Sequence, residues 1–136
     1  MDSQDSLESK ASSRIQPNYI LVAEDDEEIG HLLLLAIEQE TPYTPLLVLT
    51  GHDALRVVHD HRPVLFLFDY HLPSMTGLQL YDQVHALPGF ETIPAIIMSA
   101  SLPHAELKQR GIFGLDKPFD LDVLFHLIEQ TVQKQA

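Results

Sequence analysis

The chain has 136 residues, no cysteine and a formal net charge of −12 at pH 7. This length suits one domain with its own hydrophobic core, and the lack of cysteine excludes disulfides and metal sites built on thiolates. The negative charge argues against direct binding of nucleic acid, which requires a basic surface. Because no apolar segment is long enough to span a membrane and no signal-peptide pattern is present, we expect no membrane insertion and a cytoplasmic location.

Residues 1–18 are polar and rich in serine, with few apolar side chains. A segment of this composition buries too little surface to offset the entropy that it loses on ordering. We therefore predict a flexible N-terminal tail over residues 1–18, followed by a single domain over residues 19–136. A helix that forms only on a partner is the alternative for the tail.

The first half of the domain alternates between strand-like and helix-like patterns. Residues 19–23 are an apolar run that predicts a strand. Acidic residues follow at the expected start of a helix, where Asp25 or Asp26 is a suitable N-cap. A second strand is predicted over residues 45–50, and a short helix after Gly51. The first helix is predicted to bury an apolar stripe with helical spacing: Ile29, Leu32, Leu33, Ala36 and Ile37.

The second half repeats this alternation. Residues 64–68 are an apolar run that ends at Asp69, and proline and glycine break the pattern after it. The last helix is predicted to begin after Asp120 as its N-cap. The elements predicted between these two points are a helix over 78–87, a strand over 95–98, a short helix over 103–110 and a strand over 112–115.

Strands and helices thus alternate five times along the domain. This alternation is typical of an α/β fold with a five-stranded parallel sheet, doubly wound and covered by helices on both faces. No glycine-rich dinucleotide motif follows the first strand and no P-loop motif occurs, so neither nucleotide chemistry is indicated.

Polar side chains follow four of the predicted strands at the points where these strands end. Glu24 and Asp25 follow the first strand, Asp69 the third, Ser99 the fourth and Lys117 the fifth. Because the carboxyl ends of parallel strands meet at one edge of the sheet, we expect these side chains to lie close together. Clustered carboxylates repel one another, and a hard divalent cation relieves the repulsion. Oxygen ligands favour Mg²⁺, with Mn²⁺ next.

A metal alone would leave Ser99 and Lys117 without a role. A hydroxyl group and an ammonium group opposite a metal form a site for an anion, and a phosphoryl group fits such a site. A carboxylate can itself be the nucleophile in phosphoryl transfer, and the product is an acyl phosphate. Asp69 is the candidate nucleophile, because it lies between the other acids and the Ser99–Lys117 pair.

Four segments of the sequence carry a resemblance to a known family: ILVAEDDEEI at 20–29, FDYHLPSMTG at 68–77, MSAS at 98–101 and DKPFD at 116–120. In this order, and on these predicted elements, they resemble the response-regulator receiver domain of two-component signalling, a family similar to the chemotaxis regulators. The resemblance covers about residues 18–136. It implies a flavodoxin-like, doubly wound sheet.

The resemblance also implies the metal and acceptor residues. Asp69 would be the phosphoacceptor, and Glu24 and Asp25 would be the acidic pair that holds Mg²⁺ together with Asp69. The backbone carbonyl of His71 would complete the protein ligands.

The same resemblance implies a role for the residues opposite the metal. Ser99 would supply the switch hydroxyl, and Ser99, the Ala100 backbone N–H and Lys117 would bind the phosphoryl group. His71 and Ser101 would lie at positions that tune the lifetime of the phosphorylated state. The peptide bond between Lys117 and Pro118 would be cis.

We therefore expect a stand-alone receiver. It would accept a phosphoryl group from a sensor histidine kinase or a histidine phosphotransfer protein, and act on an unknown downstream protein or pass the phosphoryl group along a relay. A phosphorylation-independent interaction scaffold with the same fold is the alternative. A phosphohydrolase similar to the haloacid dehalogenases is a third hypothesis, but such an enzyme requires a second aspartate at the position where this chain has His71.

Two departures from the family pattern concern the output surface. The segment between Ser99 and Lys117 is about one helical turn shorter than in most family members, which predicts a shortened fourth helix. Gly114 lies where the family usually has a switch aromatic residue. Phe113 is adjacent, but neighbouring strand residues point to opposite faces of a sheet. We therefore expect an altered output surface.

Overall fold

The computed structural model describes residues 18–133. Most of the predicted tail, residues 1–17, lies outside the described residues. Within residues 18–133 no helix is both long and apolar enough to cross a membrane. The elements, in chain order, are β1 Tyr19–Ala23, α1 Glu27–Glu40, β2 Thr44–Val48, α2 Gly51–Asp60, β3 Leu65–Asp69, β4 His71–Leu72, β5 Met75–Thr76, α3 Gly77–His85, β6 Ala95–Ser99, α4 His104–Arg110, β7 Phe113–Asp116 and α5 Leu121–Gln133.

The described residues form a five-stranded parallel sheet in the order β2-β1-β3-β6-β7, with β4 and β5 as a separate short antiparallel pair. This order confirms the predicted doubly wound, flavodoxin-like sheet, in which the direction of winding reverses between β1 and β3. In the central pairing, Ile20 of β1 lies opposite Leu65 of β3, and Asp69 lies opposite Met98 of β6. The carboxyl ends of these strands therefore share one edge.

Each face of the sheet carries its own hydrophobic cluster. Alternate residues such as Phe66 and Phe68 of β3 pack on the face that is covered by α2, α3 and α4, whereas Leu65 and Leu67 pack on the face that is covered by α1 and α5. All five residues of β3 are buried, as expected for a central strand of a parallel sheet.

Several elements begin or end at residues other than the predicted ones, and two of these differences arise because polar side chains cap the helices. β2 ends at Val48 instead of residue 50, since the Thr50 hydroxyl accepts the Asp53 N–H and begins α2. Likewise, α3 begins at Gly77 because Thr76 and Gln79 form a capping box. β7 runs over Phe113–Asp116, one residue later than predicted.

The prediction that Leu32 belongs to the buried stripe of α1 is wrong. Leu32 is 49% exposed, whereas Leu33 and Ile37 are fully buried. Gly30 brings α1 close to the sheet, because a Cβ atom at this position would lie 2.8 Å from Leu47 Cδ2. The face that packs on β2 therefore passes through Gly30 and Leu33, and Leu32 lies at its margin, where it lines an apolar surface depression together with Phe119.

The fourth helix is short, as predicted. α4 has seven residues and is capped at its carboxyl end by Gly111, whose φ of 67° lies in the left-handed region. Its last residue, Arg110, donates two hydrogen bonds to the carboxylate of Asp82 on α3, at 2.8 and 2.9 Å. The end of this helix is thus attached to its neighbour.

Candidate functional site

Asp69 is the last residue of the central strand β3 and is 5% exposed. The chain turns back over it immediately, because Gly77 donates its N–H to the Tyr70 carbonyl at 2.7 Å. Ser74 makes this turn with a φ of 68°. A Cβ atom on residue 77 would lie 2.5 Å from the Asp69 carbonyl oxygen, so only glycine allows this approach of the two backbones.

Three carboxylates meet at this edge of the sheet. Glu24, Asp25 and Asp69 offer oxygen atoms that all lie within 4.8 Å of one another. Glu24 is fully buried and Asp25 is exposed, so the cluster opens to solvent on one side. Such a group of oxygen ligands, close together and accessible, has the chemistry that Mg²⁺ requires. These residues therefore fit a magnesium ion.

The ammonium group of Lys117 reaches into the same cluster. Its Nζ lies 2.6 Å from Glu24 Oε1 and 3.3 Å from Asp69 Oδ1. The backbone N–H of Lys117 donates to the Ser99 carbonyl at 2.9 Å, which fixes the end of β7 beside the end of β6. The peptide bond between Lys117 and Pro118 is cis, as predicted.

The charges of this cluster depend on one another. Burial raises the pKa of the Glu24 carboxyl, and this effect is opposed by the Lys117 ammonium and by the Asp26 N–H, which donates to Glu24 Oε2 at 3.2 Å. Burial alone would lower the pKa of Lys117, but Glu24 and Asp69 outweigh it and raise that pKa. Lys117 is therefore a cation, and it partly neutralises the acidic cluster.

Ser99 ends β6 on the same edge and is 1% exposed. Its Oγ accepts the backbone N–H of Ser101 at 3.0 Å. Ala100 and Ser101 follow on the exposed loop, and the exposed His71 packs edge-to-face against Tyr70 with ring centroids 4.9 Å apart. The structure thus brings Glu24, Asp25, Asp69 and Lys117 together. It places Ser99 at the end of β6, Ala100 and Ser101 on the loop that follows, and His71 at the start of β4.

Sequence reasoning left one feature of this edge open and missed another. Asp26, one of the two predicted caps, is the one that accepts the N–H groups of Glu28 and Ile29. Leu102 was not singled out, although its Cδ1 would lie 2.8 Å from a Cβ atom on Gly114. No spacing pattern in the sequence indicates this contact, because it depends on how the loop after β6 folds over β7. Phe113 packs on the face of the sheet opposite to the one on which Gly114 lies, as predicted.

Comparison with known proteins agrees with this arrangement. The family model described as the response regulator receiver domain matches residues 20–129. Transcriptional regulatory protein GlrR of Escherichia coli K12 is 31% identical over 126 residues, which cover 89% of this chain and 28% of that protein. Protein Rrf1 of Nitratidesulfovibrio vulgaris is 25% identical over 120 residues, which cover 88% of this chain and 86% of that protein.

The fold is shared with solved structures of the same class. The crystal structure of a CheY-like response regulator receiver domain protein from Methanospirillum hungatei superimposes with a TM-score of 0.79 at 23% sequence identity, covering 87% of this chain and 95% of the other. The chain spans little more than a quarter of the length of GlrR. The chain belongs to the response-regulator receiver domain family of two-component signalling.

Proposed function

We propose that Asp69 accepts a phosphoryl group from a phosphohistidine of a sensor histidine kinase or a histidine phosphotransfer protein. The observation that carries this proposal is the position of Lys117 Nζ, 2.6 Å from Glu24 and 3.3 Å from Asp69, beside the three-carboxylate cluster. An acceptor carboxylate, a fixed cation and a group of metal ligands thus lie at one sheet edge. Phosphoryl transfer requires this combination of positioning and charge neutralisation.

In this proposal a carboxylate oxygen of Asp69 attacks the phosphorus atom. A bond between phosphorus and this oxygen forms while the bond between phosphorus and the imidazole nitrogen breaks, and the nitrogen keeps the electron pair. Lys117 holds a phosphoryl oxygen by its charge, and the Ala100 backbone N–H and the Ser99 hydroxyl donate to the others. Water later cleaves the acyl phosphate, and His71 of β4 and Ser101 of the loop after β6 tune the rate of this step.

Asp25 and Asp69 would hold Mg²⁺, with the His71 carbonyl as a further ligand and Glu24 completing the acidic pair. When bound, the ion supplies positive charge that offsets the repulsion between the carboxylates and the incoming phosphoryl oxygens. Both oxygens of Glu24 already accept hydrogen bonds, from Lys117 and from the Asp26 N–H. Glu24 therefore acts chiefly by orienting Lys117, and the exposed Asp25 has more freedom to bind the ion directly.

The output proposed for this switch is a change in binding to a downstream protein, or passage of the phosphoryl group along a relay. The cytoplasmic location that we expect from the sequence belongs to the same proposal. The match of residues 20–129 to the receiver family argues against the hypothesis that the chain is a phosphohydrolase.

Mass spectrometry of the intact chain after incubation with a small-molecule phosphodonor and Mg²⁺ tests the proposal. The wild-type chain should gain the mass of one phosphoryl group, and Asp69→Asn should not. Asp116→Asn is the matched control, because Asp116 is an exposed aspartate at the end of β7, opposite Ser99 of β6. This variant should gain mass as the wild type does.

The second candidate function is a phosphorylation-independent interaction scaffold. It is favoured by the absence of a side chain at Gly114, where the family usually has a switch aromatic residue. No mass gain on the wild type under any magnesium concentration would support the scaffold and overturn phosphorylation of Asp69. A gain that survives in Asp69→Asn would assign the acceptor to another residue.

A further inference from the structure

The loop that follows β6 is held by a side chain that fills a recess on β7. Gly114 faces α4, and a Cβ atom on it would lie 2.8 Å from Leu102 Cδ1 and 2.9 Å from Leu107 Cδ1. These two leucines therefore occupy the space that a side chain on residue 114 would need. Leu107 belongs to α4 and is buried, whereas Leu102 belongs to the loop and is half-buried.

The same loop connects Ser99, at the end of β6, to the first residue of α4. At its start, Ser99 Oγ accepts the N–H of Ser101 at 3.0 Å, and Leu102 is the next residue. At its end, the Leu102 carbonyl accepts the N–H of His104, the first residue of α4, at 3.0 Å. One short segment thus connects the candidate site to α4, and the Leu102 side chain packs this segment against Gly114 of β7.

The two ends of α4 are held by different interactions. The last residue, Arg110, is bonded twice to Asp82 on α3, and Leu107 is buried against the sheet. The first turn has no side-chain cap hydrogen bond, since Pro103 is the cap residue. A change in the loop therefore moves the start of α4 more easily than its end.

We propose that Leu102 couples Ser99 to α4. While Ser99 Oγ bonds to the Ser101 N–H, Leu102 lies in the recess above Gly114. When the Ser99 hydroxyl turns toward an anion on Asp69, its bond to Ser101 is lost, the loop moves, and Leu102 leaves the recess. This inference rests on the proposed function, because it requires an anion on Asp69. It assigns to a leucine on the loop the coupling that an aromatic residue at position 114 would otherwise provide.

Methyl NMR of the wild-type chain with ¹³C-labelled leucine tests this inference, with beryllofluoride and Mg²⁺ as the probe of the phosphorylated state. Comparison with Leu102→Ala identifies the Leu102 methyl signals. On addition of the probe, these signals and the amide signals of Ser101 and His104 should shift. In the probe-free protein, Leu102→Ala should speed hydrogen exchange of the Ser101 amide about 10-fold, because the loop then lacks the side chain that packs it against β7.

Two further variants control for a general loss of packing. Leu35→Ala removes a leucine that is 56% exposed on α1, and it should leave exchange at Ser101 unchanged. Gly114→Ala places a Cβ atom against the flexible ends of Leu102 and Leu107, and it should shift the Ser101 amide in the probe-free protein. A Ser101 amide signal that is unchanged in both Leu102→Ala and Gly114→Ala would overturn the inference.

The outcomes also separate this inference from the proposed function. If the wild type gains a phosphoryl group on Asp69 but the Leu102 methyl signals do not move with beryllofluoride, the coupling through Leu102 is wrong and the acceptor role of Asp69 stands. If no phosphodonor modifies Asp69, the proposed function fails and the coupling fails with it. Phosphorylation together with displaced Leu102 signals supports both.

Discussion

Gly77 lies so close to Asp69 that a Cβ atom on residue 77 would be 2.5 Å from the Asp69 carbonyl oxygen. The backbones at residues 69 and 77 cannot move apart unless the end of β3 or the first turn of α3 also moves. We therefore expect Gly77→Ala to lower the free energy of unfolding by about 2–4 kcal/mol, as for other substitutions that overpack a rigid site. Urea unfolding followed by circular dichroism measures this change.

Gly51→Ala is the matched control for Gly77→Ala. Gly51 is also the first residue of a helix, but its added Cβ atom would meet the side chain of Met75. A methionine has three rotatable bonds and can move, so the loss should stay below about 1 kcal/mol. Equal losses in the two variants would show that contact with the Asp69 backbone is not the source of the cost.

Asp25 and Asp26 are neighbours with separable roles. Asp25 belongs to the carboxylate cluster, whereas Asp26 caps α1. Asp25→Asn should weaken Mg²⁺ binding about 10-fold or more, because a charged ligand is lost, and should change stability little in metal-free buffer. Asp26→Ala should cost about 1 kcal/mol of stability and leave Mg²⁺ affinity nearly unchanged. Calorimetric Mg²⁺ titrations and urea unfolding check the two variants, and a reversed pattern would contradict the assignment.

The ion pair between Lys117 and Glu24 is largely buried, with Lys117 18% exposed and Glu24 not exposed at all. Lys117→Met should lower the free energy of unfolding by about 2–4 kcal/mol in metal-free buffer, because Glu24 then lacks its cation. In the double variant with Glu24→Gln, the loss should be smaller than the sum of the two single losses. Additive losses in this double-mutant cycle would mean that the two groups do not interact across the site.

The attachment of α4 to α3 should depend on pH. Hydrogen bonds from Arg110 lower the pKa of the Asp82 carboxyl below its ordinary value. The resulting stabilisation is present above the pKa of the unfolded chain, about 3.9, and is lost as the pH falls through the lower folded value. Because Asp82 is 52% exposed, solvent screens the pair, and Asp82→Asn should cost only about 0.5 kcal/mol at pH 7.

Unfolding curves of the wild type and of Asp82→Asn between neutral and acidic pH measure this effect. The difference between the two proteins should shrink toward zero below about pH 4. Arg110→Lys keeps the charge but loses the two parallel hydrogen bonds, so it should retain part of the difference. A difference that is constant over the whole pH range would show that Asp82 stabilises the fold without ionisation.

The sequence by itself determined the class of fold and the residues that gather at the sheet edge. Apolar runs such as residues 64–68 predict strands that are buried on both faces, and parallel strands must end at a common edge. From this rule, Asp25, Asp69 and Lys117 are expected to lie near one another, and the structure brings them together. Local chemistry and strand direction are enough for that prediction.

Only the tertiary structure decided how the elements fit against one another. The exposure of Leu32, the choice of Asp26 as cap and the contact of Leu102 with Gly114 all depend on the positions of helices and loops relative to the sheet. Two or more side chains from distant parts of the chain compete for the same space at such points. The periodicity of a segment predicts which of its own side chains face the core. It does not predict how much space the side chains of a neighbouring segment leave for them.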